Sequence, residues 1–161
     1  ESSGSEILMA SDGRFTDAEH RQILDAIGAA ERLTSGEIRL FVEDVCGENV
    51  LDRAAYIFHE LKMDRTAERN GVLFYLALEA RQFAILGDAG INRKVPEDFW
   101  HSIKLEMEHR FALGEFVAGL SNGIERAGAA LAEHFPRKHD DKNELPDEIV
   151  YGGKLKDRHP R

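Results

Sequence analysis

A single cysteine, Cys46, is all the thiol chemistry in these 161 residues. It has no partner for an internal disulfide, so the fold does not depend on an oxidising compartment. Basic residues are in the minority, 21 Lys and Arg against 30 Asp and Glu, which leaves a formal net charge of −9. That balance excludes the broad positive footprint by which proteins hold nucleic acid or anionic lipid. Long apolar runs are missing too. The longest, residues 72–78, is far short of the roughly 20 residues a membrane helix needs, so no membrane insertion is expected. No basic stretch leads into an apolar one near the start, so a secretory leader is not visible and a cytoplasmic location is expected. Residues 1–8 read as a vector-derived remnant ahead of Met9-Ala10-Ser11.

What is present suits one domain. The length fits a single core, and 42% apolar with 32% charged residues is a globular balance rather than a disordered one. The domain is expected over residues 14–136, with a polar tail over 137–161 in which 149–151 is the segment able to dock. Residues 1–13 are expected to be disordered. A monomer is expected.

Periodicity places the elements. Thr16 with Glu19 forms a capping box behind Phe15, and Ile23, Ile27, Ala30 and Leu33 or Leu24 recur at helical spacing over 17–33. Residues 37–43 alternate Ile38, Leu40 and Val42 against Glu37, Arg39 and Glu43, the pattern of a strand with one buried face. A helix follows over 50–62, carrying Leu51, Ala54, Ala55, Phe58 and Leu61. The apolar run 72–78 suits a central strand buried on both sides, and 83–86 returns beside it after a short turn. After Gly87-Asp88-Ala89-Gly90 a loop is expected to lead to Val95. Pro96 fits a first helical turn in which Glu97 and Asp98 face the positive helix end. Phe99, Ile103, Met107 and Phe111 then step every four residues, and a last helix runs from Phe116 to just before Pro136. Helix, strand, helix, strand, strand, helix, helix gives a mixed sheet between helical layers, an α/β/α sandwich.

Familiar catalytic signatures are absent: no phosphate-binding Gly-rich loop, no H-E-x-x-H, no C-x-x-C and no G-x-S-x-G. His59-Glu60 lacks a second histidine, while His101 and His109 are two turns apart on one helix and read as surface residues. Cys46 reads as a small loop residue more readily than as a nucleophile. The catalytic residues, if there are any, are not identified by the sequence.

Topology is more informative. If the first two strands are parallel, their starts lie at one sheet edge, and the hairpin delivers Gly87-Asp88 to the same place. Ser35-Gly36-Glu37, Arg69-Asn70-Gly71 and Asp88 then converge, with Glu97 and Asp98 on the next element. Glu37, Asn70, Asp88, Glu97 and Asp98 are an all-oxygen set, which suits calcium or magnesium rather than zinc or copper. The bland alternative is that the glycines and Asn70 serve turns, and that the acids serve a helix end. The opposite edge, where open α/β sheets usually bind ligands, gathers Glu43, Asp44, Glu48 and Glu79 and supports the same argument.

Thr34-Ser35-Gly36-Glu37-Ile38-Arg39, Arg69-Asn70-Gly71-Val72-Leu73 and Ala84-Ile85-Leu86-Gly87-Asp88-Ala89-Gly90-Ile91 together resemble the TPM domain. So does Phe111-x-x-Gly114-x-Phe116-x-x-Gly119-Leu120, and the likeness spans residues 15–135. The resemblance implies an α/β/α sandwich and divalent cations, notably calcium, held by acidic loop residues. By position, these would be Glu37, Asp88 and the Glu97/Asp98 pair. The family includes a thylakoid-lumen member described as an acid phosphatase and a nematode membrane protein that modulates acetylcholine receptors. Many relatives have an acidic residue before the Asn-Gly, where this chain has Arg69. Three functions are therefore expected in this order: a calcium- or magnesium-binding module; a metal-assisted phosphatase with Arg65, Arg69 or Arg93 clamping the phosphate; and a protein-interaction domain whose acidic face docks a basic partner.

Overall fold

The strand at the centre of the molecule is β1 (Glu37–Glu43), buried at every position. The computed structural model describes residues 14–138 and 149–152. β1 runs parallel to β2 (Gly71–Ala77), with Glu37 opposite Gly71 and Glu43 opposite Ala77. β2 pairs antiparallel with β3 (Gln82–Gly87). On the far side, β4 (Ile149–Tyr151) lies parallel to residues 40–42 of β1, so this apolar tail segment docks as a strand. The sheet order is β3-β2-β1-β4.

Among the described residues five α-helices flank the sheet: α1 (Asp17–Glu31), α2 (Val50–Glu60), α3 (Ala89–Asn92), α4 (Phe99–Ala112) and α5 (Phe116–His134). Ile38, Leu40 and Val42 of β1, with Val72, Phe74 and Leu76 of β2, pack against Ile23 and Ile27 of α1, Ile103 and Met107 of α4, and Ile124 and Leu131 of α5. The other face of the sheet, Phe41, Leu73, Tyr75 and Ala84, packs on Ala54, Ile57 and Phe58 of α2 and on Met63. Three layers result, helices on both faces of a mixed sheet, as the element order implies. Burying a side chain of this size contributes about 1.5–3 kcal/mol.

Local chemistry sets the ends. Thr16 accepts from the Glu19 amide while Glu19 accepts from the Thr16 amide, so the capping box at the head of α1 is complete. Asn49 caps α2 by accepting from the Leu51 and Asp52 amides.

Four expectations need correction. β1 has no solvent face: β2 and β4 flank it, all seven of its residues are buried, and on the Glu37, Arg39 and Glu43 side Phe41 packs in the cluster that α2 and Met63 build; tertiary packing overrides the alternating pattern. Residues 89–92 form the short helix α3, capped by Asp88, rather than open loop. α4 begins at Phe99, so Pro96 lies in the turn before it and Asp98 stands at the cap position without making a side-chain cap bond. Leu33 and Leu51 are exposed, at 66% and 55%, since the helices turn these spokes away from the sheet. Most of the polar tail, along with residues 1–13, lies outside the described residues.

α1 and α5 approach closely at Gly128, where an added Cβ would stand 2.5 Å from the Ala30 Cβ. Gly128→Ala is therefore expected to cost about 1–3 kcal/mol by overpacking. In an Ala30→Gly background the same substitution should be neutral or stabilising. Urea unfolding of the two single variants and the double variant measures this coupling.

Candidate functional site

The register of the sheet makes the amino edge. Because Glu37 faces Gly71 and Val72 faces Gly87, the residues just outside these pairs meet: Ser35 and Gly36, Arg69 and Asn70, Asp88 to Gly90. The Asp88 amide donates to the Gly71 carbonyl at 2.9 Å, and the Gly90 amide to the Arg69 carbonyl at 2.7 Å. Position 90 has to be glycine on steric grounds, since an added Cβ would lie 2.1 Å from the Glu68 carbonyl oxygen.

Arg69 dominates the chemistry here. Its Nε donates to Asp88 Oδ2 at 2.7 Å and its second guanidinium nitrogen donates to Oδ1 at 2.8 Å, a two-pronged ion pair. Asp88 also accepts from the Ala89 amide at 2.8 Å and is 7% exposed. The hydrogen bond to Asp88, then its charge, raise the Arg69 pKa further. Arg69 has φ +54°, a left-handed conformation that costs a residue with a Cβ about 1–2 kcal/mol. Beside it, Asn70 Nδ2 donates to Ser35 Oγ at 3.3 Å, and Ser35 donates on to Glu68 at 2.8 Å. The Asn70 Oδ1 atom is buried and has no hydrogen-bond partner.

Of the expected cation ligands, Glu37, Asn70 and Asp88 are buried at the strand ends. Glu97 and Asp98 are exposed in the turn before α4. Among the described residues no three His, Cys, Asp or Glu side chains lie close enough together to share a metal ion. Of the expected phosphate clamp, Arg65 and Arg93 are exposed and Arg69 is committed to Asp88.

The carboxyl edge is equally occupied. Glu43, fully buried, accepts from Arg53 Nε at 2.9 Å and from the second guanidinium nitrogen at 3.0 Å. It also accepts from the Tyr75 hydroxyl. Arg14 donates to Asp44 at 2.9 Å and to the Val42 carbonyl at 3.2 Å. Glu48 and Glu79 are exposed. The Cys46 thiol donates to the Glu48 carbonyl at 3.0 Å. Burial above all, then a hydrogen bond with Cys46, pushes the Tyr75 hydroxyl well above its ordinary pKa. His59 pairs with Asp64 at 3.0 Å, and that hydrogen bond lowers the Asp64 pKa. His101 and His109 are exposed on α4.

Above this edge, on the α1, α4 and α5 side, lies a cleft of about 640 Å³. Its walls come from the β2–β3 hairpin, the head of α1, the end of α4 and the start of α5. Sequence reading places Phe15 at the capping box, Phe83 on the return strand, and Phe111 and Phe116 on two successive helices; that they share one cavity becomes visible only when α4 and α5 are folded together.

Comparison with known proteins settles the lineage. The TPM domain family profile matches residues 9–130. The chain belongs to the TPM domain family. Its structure resembles the BA42 protein of the psychrophilic bacterium Bizionia argentinensis, with 48% identity over 86% of this chain and 96% of that one, and a TM-score of 0.80. It shares its fold with the N-terminal domain of a P. gingivalis protein at 20% identity, covering 79% of this chain and 84% of that one, with a TM-score of 0.62. The N-terminal domain of cg2496 from Corynebacterium glutamicum matches at 12% identity, over 92% and 86%, with a TM-score of 0.53. No curated protein matches the chain. No helix among the described residues is long and apolar enough to cross a membrane.

Two outcomes follow for this TPM domain. Arg53→Ala takes both guanidinium hydrogen bonds from the buried Glu43 and should cost about 3–5 kcal/mol. Adding Glu43→Gln should recover much of that loss, as denaturant unfolding of the single and double variants would show. Tyr75 is held protonated by the fold, while in the unfolded chain it titrates near pH 10. Its contribution to stability is therefore complete below about pH 10 and is lost as pH rises above that value. Tyr75→Phe should flatten the alkaline side of the stability profile, and an ultraviolet titration should show Tyr75 ionising only with unfolding.

Proposed function

We propose that this TPM domain is a non-catalytic binding module that takes a calcium or magnesium ion at its amino edge, on Asp88 and the Asn70 amide oxygen, in competition with Arg69. The observation that carries the reading is Asn70 Oδ1, a buried oxygen with no hydrogen-bond donor. Such an atom costs free energy until it meets a donor or a cation, and amide and carboxylate oxygens are what these hard ions prefer. The family resemblance points the same way. Glu37 stands at the head of β1, while Glu97 and Asp98 join only if the turn before α4 folds inward.

Arg69 shapes how such a site behaves. Its guanidinium already neutralises Asp88, and its side chain is 48% exposed, so it can leave for solvent when an ion arrives. With so few protein oxygens, several waters stay on the ion and the affinity is weak, on the order of 10⁻³ M. Metal-assisted phosphate ester hydrolysis is the lesser reading, because Arg69 is drawn to Asp88 and away from any phosphate.

Thermal melting in EDTA and then in calcium or magnesium tests the proposal on the wild type, Arg69→Ala and Asp88→Asn. At ten times Kd the ion should stabilise by about 1.4 kcal/mol, a rise of roughly 3–6 °C. Arg69→Ala should bind about tenfold more tightly, since no internal charge competes. Asp88→Asn should lose the response. A rise unchanged in Asp88→Asn, or no rise in either of the other two proteins, overturns the reading.

A further inference from the structure

The cleft at the carboxyl edge lies across the sheet from the proposed cation site and is made of different residues. Its floor is a run of touching rings. Phe83 meets Phe111 edge-on at 5.2 Å, Phe111 stacks on Phe116 at 4.6 Å, and Phe116 stacks on Phe15 at 5.9 Å. Phe83 and Phe15 are buried, whereas Phe111 and Phe116 stay half-exposed. A volume of about 640 Å³ and an apolar, aromatic floor with few polar groups are the features of a small-molecule site. Its place beyond the carboxyl ends of the parallel strands is where open α/β sheets bind ligands.

The polar groups at the rim choose the ligand. Two of the charges lining the cleft are spent on the fold, Arg14 on Asp44 and Glu19 on the head of α1. Arg81 and Glu108 remain, both exposed. Lys104, one turn before Glu108 on α4, holds its ammonium 5.4 Å from the Phe83 ring centre, so the acid has a cation beside it on its own helix. Arg81 is left as the exposed guanidinium among the lining residues, on a chain whose net charge is −9. Arg81 also has φ +54°, in a hairpin turn where glycine or asparagine would sit without strain. A guanidinium is thus held at the rim at a conformational cost.

We infer that this cleft binds a small amphiphilic anion, with an aromatic or short acyl body on Phe111 and Phe116 and a single carboxylate at Arg81. The carboxylate takes the charge-assisted hydrogen bonds of a guanidinium, and the body covers ring surface that is otherwise wet. No bond is made or broken; this is a binding site.

Titration of the full chain with phenylbutyrate, followed by backbone amide chemical shifts, tests the inference. Saturable shifts are expected over residues 76–83 and 108–116, with Kd on the order of 10⁻⁴ to 10⁻³ M for a ligand of this size. Phenylbutanol, the same body without the charge, should bind about tenfold more weakly, and Arg81→Gln should weaken phenylbutyrate by a similar factor. Ala112→Phe fills the cleft from an exposed helix position and should abolish binding while the protein stays folded. Four outcomes overturn the inference: shifts that never saturate, shifts elsewhere, equal affinity for the acid and the alcohol, or binding that appears only once residues 1–13 are removed, which would make that segment the occupant.

Discussion

Everything in this domain is arranged around a strand that must be buried on both faces while carrying three charged side chains. β1 is interior to the sheet, and its Glu37, Arg39 and Glu43 are as buried as the Ile38, Leu40 and Val42 they alternate with. Moving a carboxylate out of water costs several kcal/mol unless it is paired and hydrogen-bonded. For Glu43 the response is complete, with two guanidinium bonds from Arg53 on α2 and one from Tyr75 on the neighbouring strand. That cluster does more than satisfy a charge. It ties α2, which lies over β3 and β2, to the end of β1, because Arg53 can reach Glu43 only if the helix sits at one height along the sheet.

The amino edge repeats the solution with a different economy. Asp88 caps α3 with one oxygen and shares both oxygens with Arg69, so one carboxylate ties the segment before β2 to the segment after β3. A divalent ion could make the same tie, and Arg69 makes it with a charge that the chain carries itself. The position before Asn70-Gly71 is therefore where the character of the edge is set. An acid there would add to the negative charge of Asp88 and call for an ion, whereas an arginine answers it internally. This is why the proposed cation competes with a side chain rather than entering a vacant cage.

Much of this was legible before folding. The capping box at Thr16, the alternation over β1 and the apolar run of β2 follow from residue type and period alone. With the parallel β1–β2 pair, they bring Glu37, Asn70 and Asp88 to one edge. The sequence could not show that the charged side of β1 would be buried, since alternation predicts a wet face and only tertiary packing removes it. Nor could it show that Asp88 would find Arg69, 19 residues away, instead of an ion. Spacing states which groups share an edge; it does not state which of them neutralise one another. The family resemblance covers the same ground and carries the same blind spot, because it marks positions and not the pairs they form.

The two edges divide the chemistry. Hydrogen bonds and ion pairs dominate the amino edge, where Asn70 Oδ1 stays without a donor, and at the carboxyl edge Glu43, Tyr75 and Asp44 are held in the same way. The aromatic cleft lies on the opposite face, where β2 and β3 turn, and the rings there are held by packing alone. Rings cannot neutralise one another, so a floor of half-exposed phenylalanine stays open to ligand in a way that a satisfied ion pair does not. The fold thus spends its charges where chain segments must be tied together and leaves apolar surface where they need not be. On that logic an inorganic ion can reach the amino edge only by displacing a side chain, while an organic ligand can enter the cleft without breaking any contact that holds the domain together.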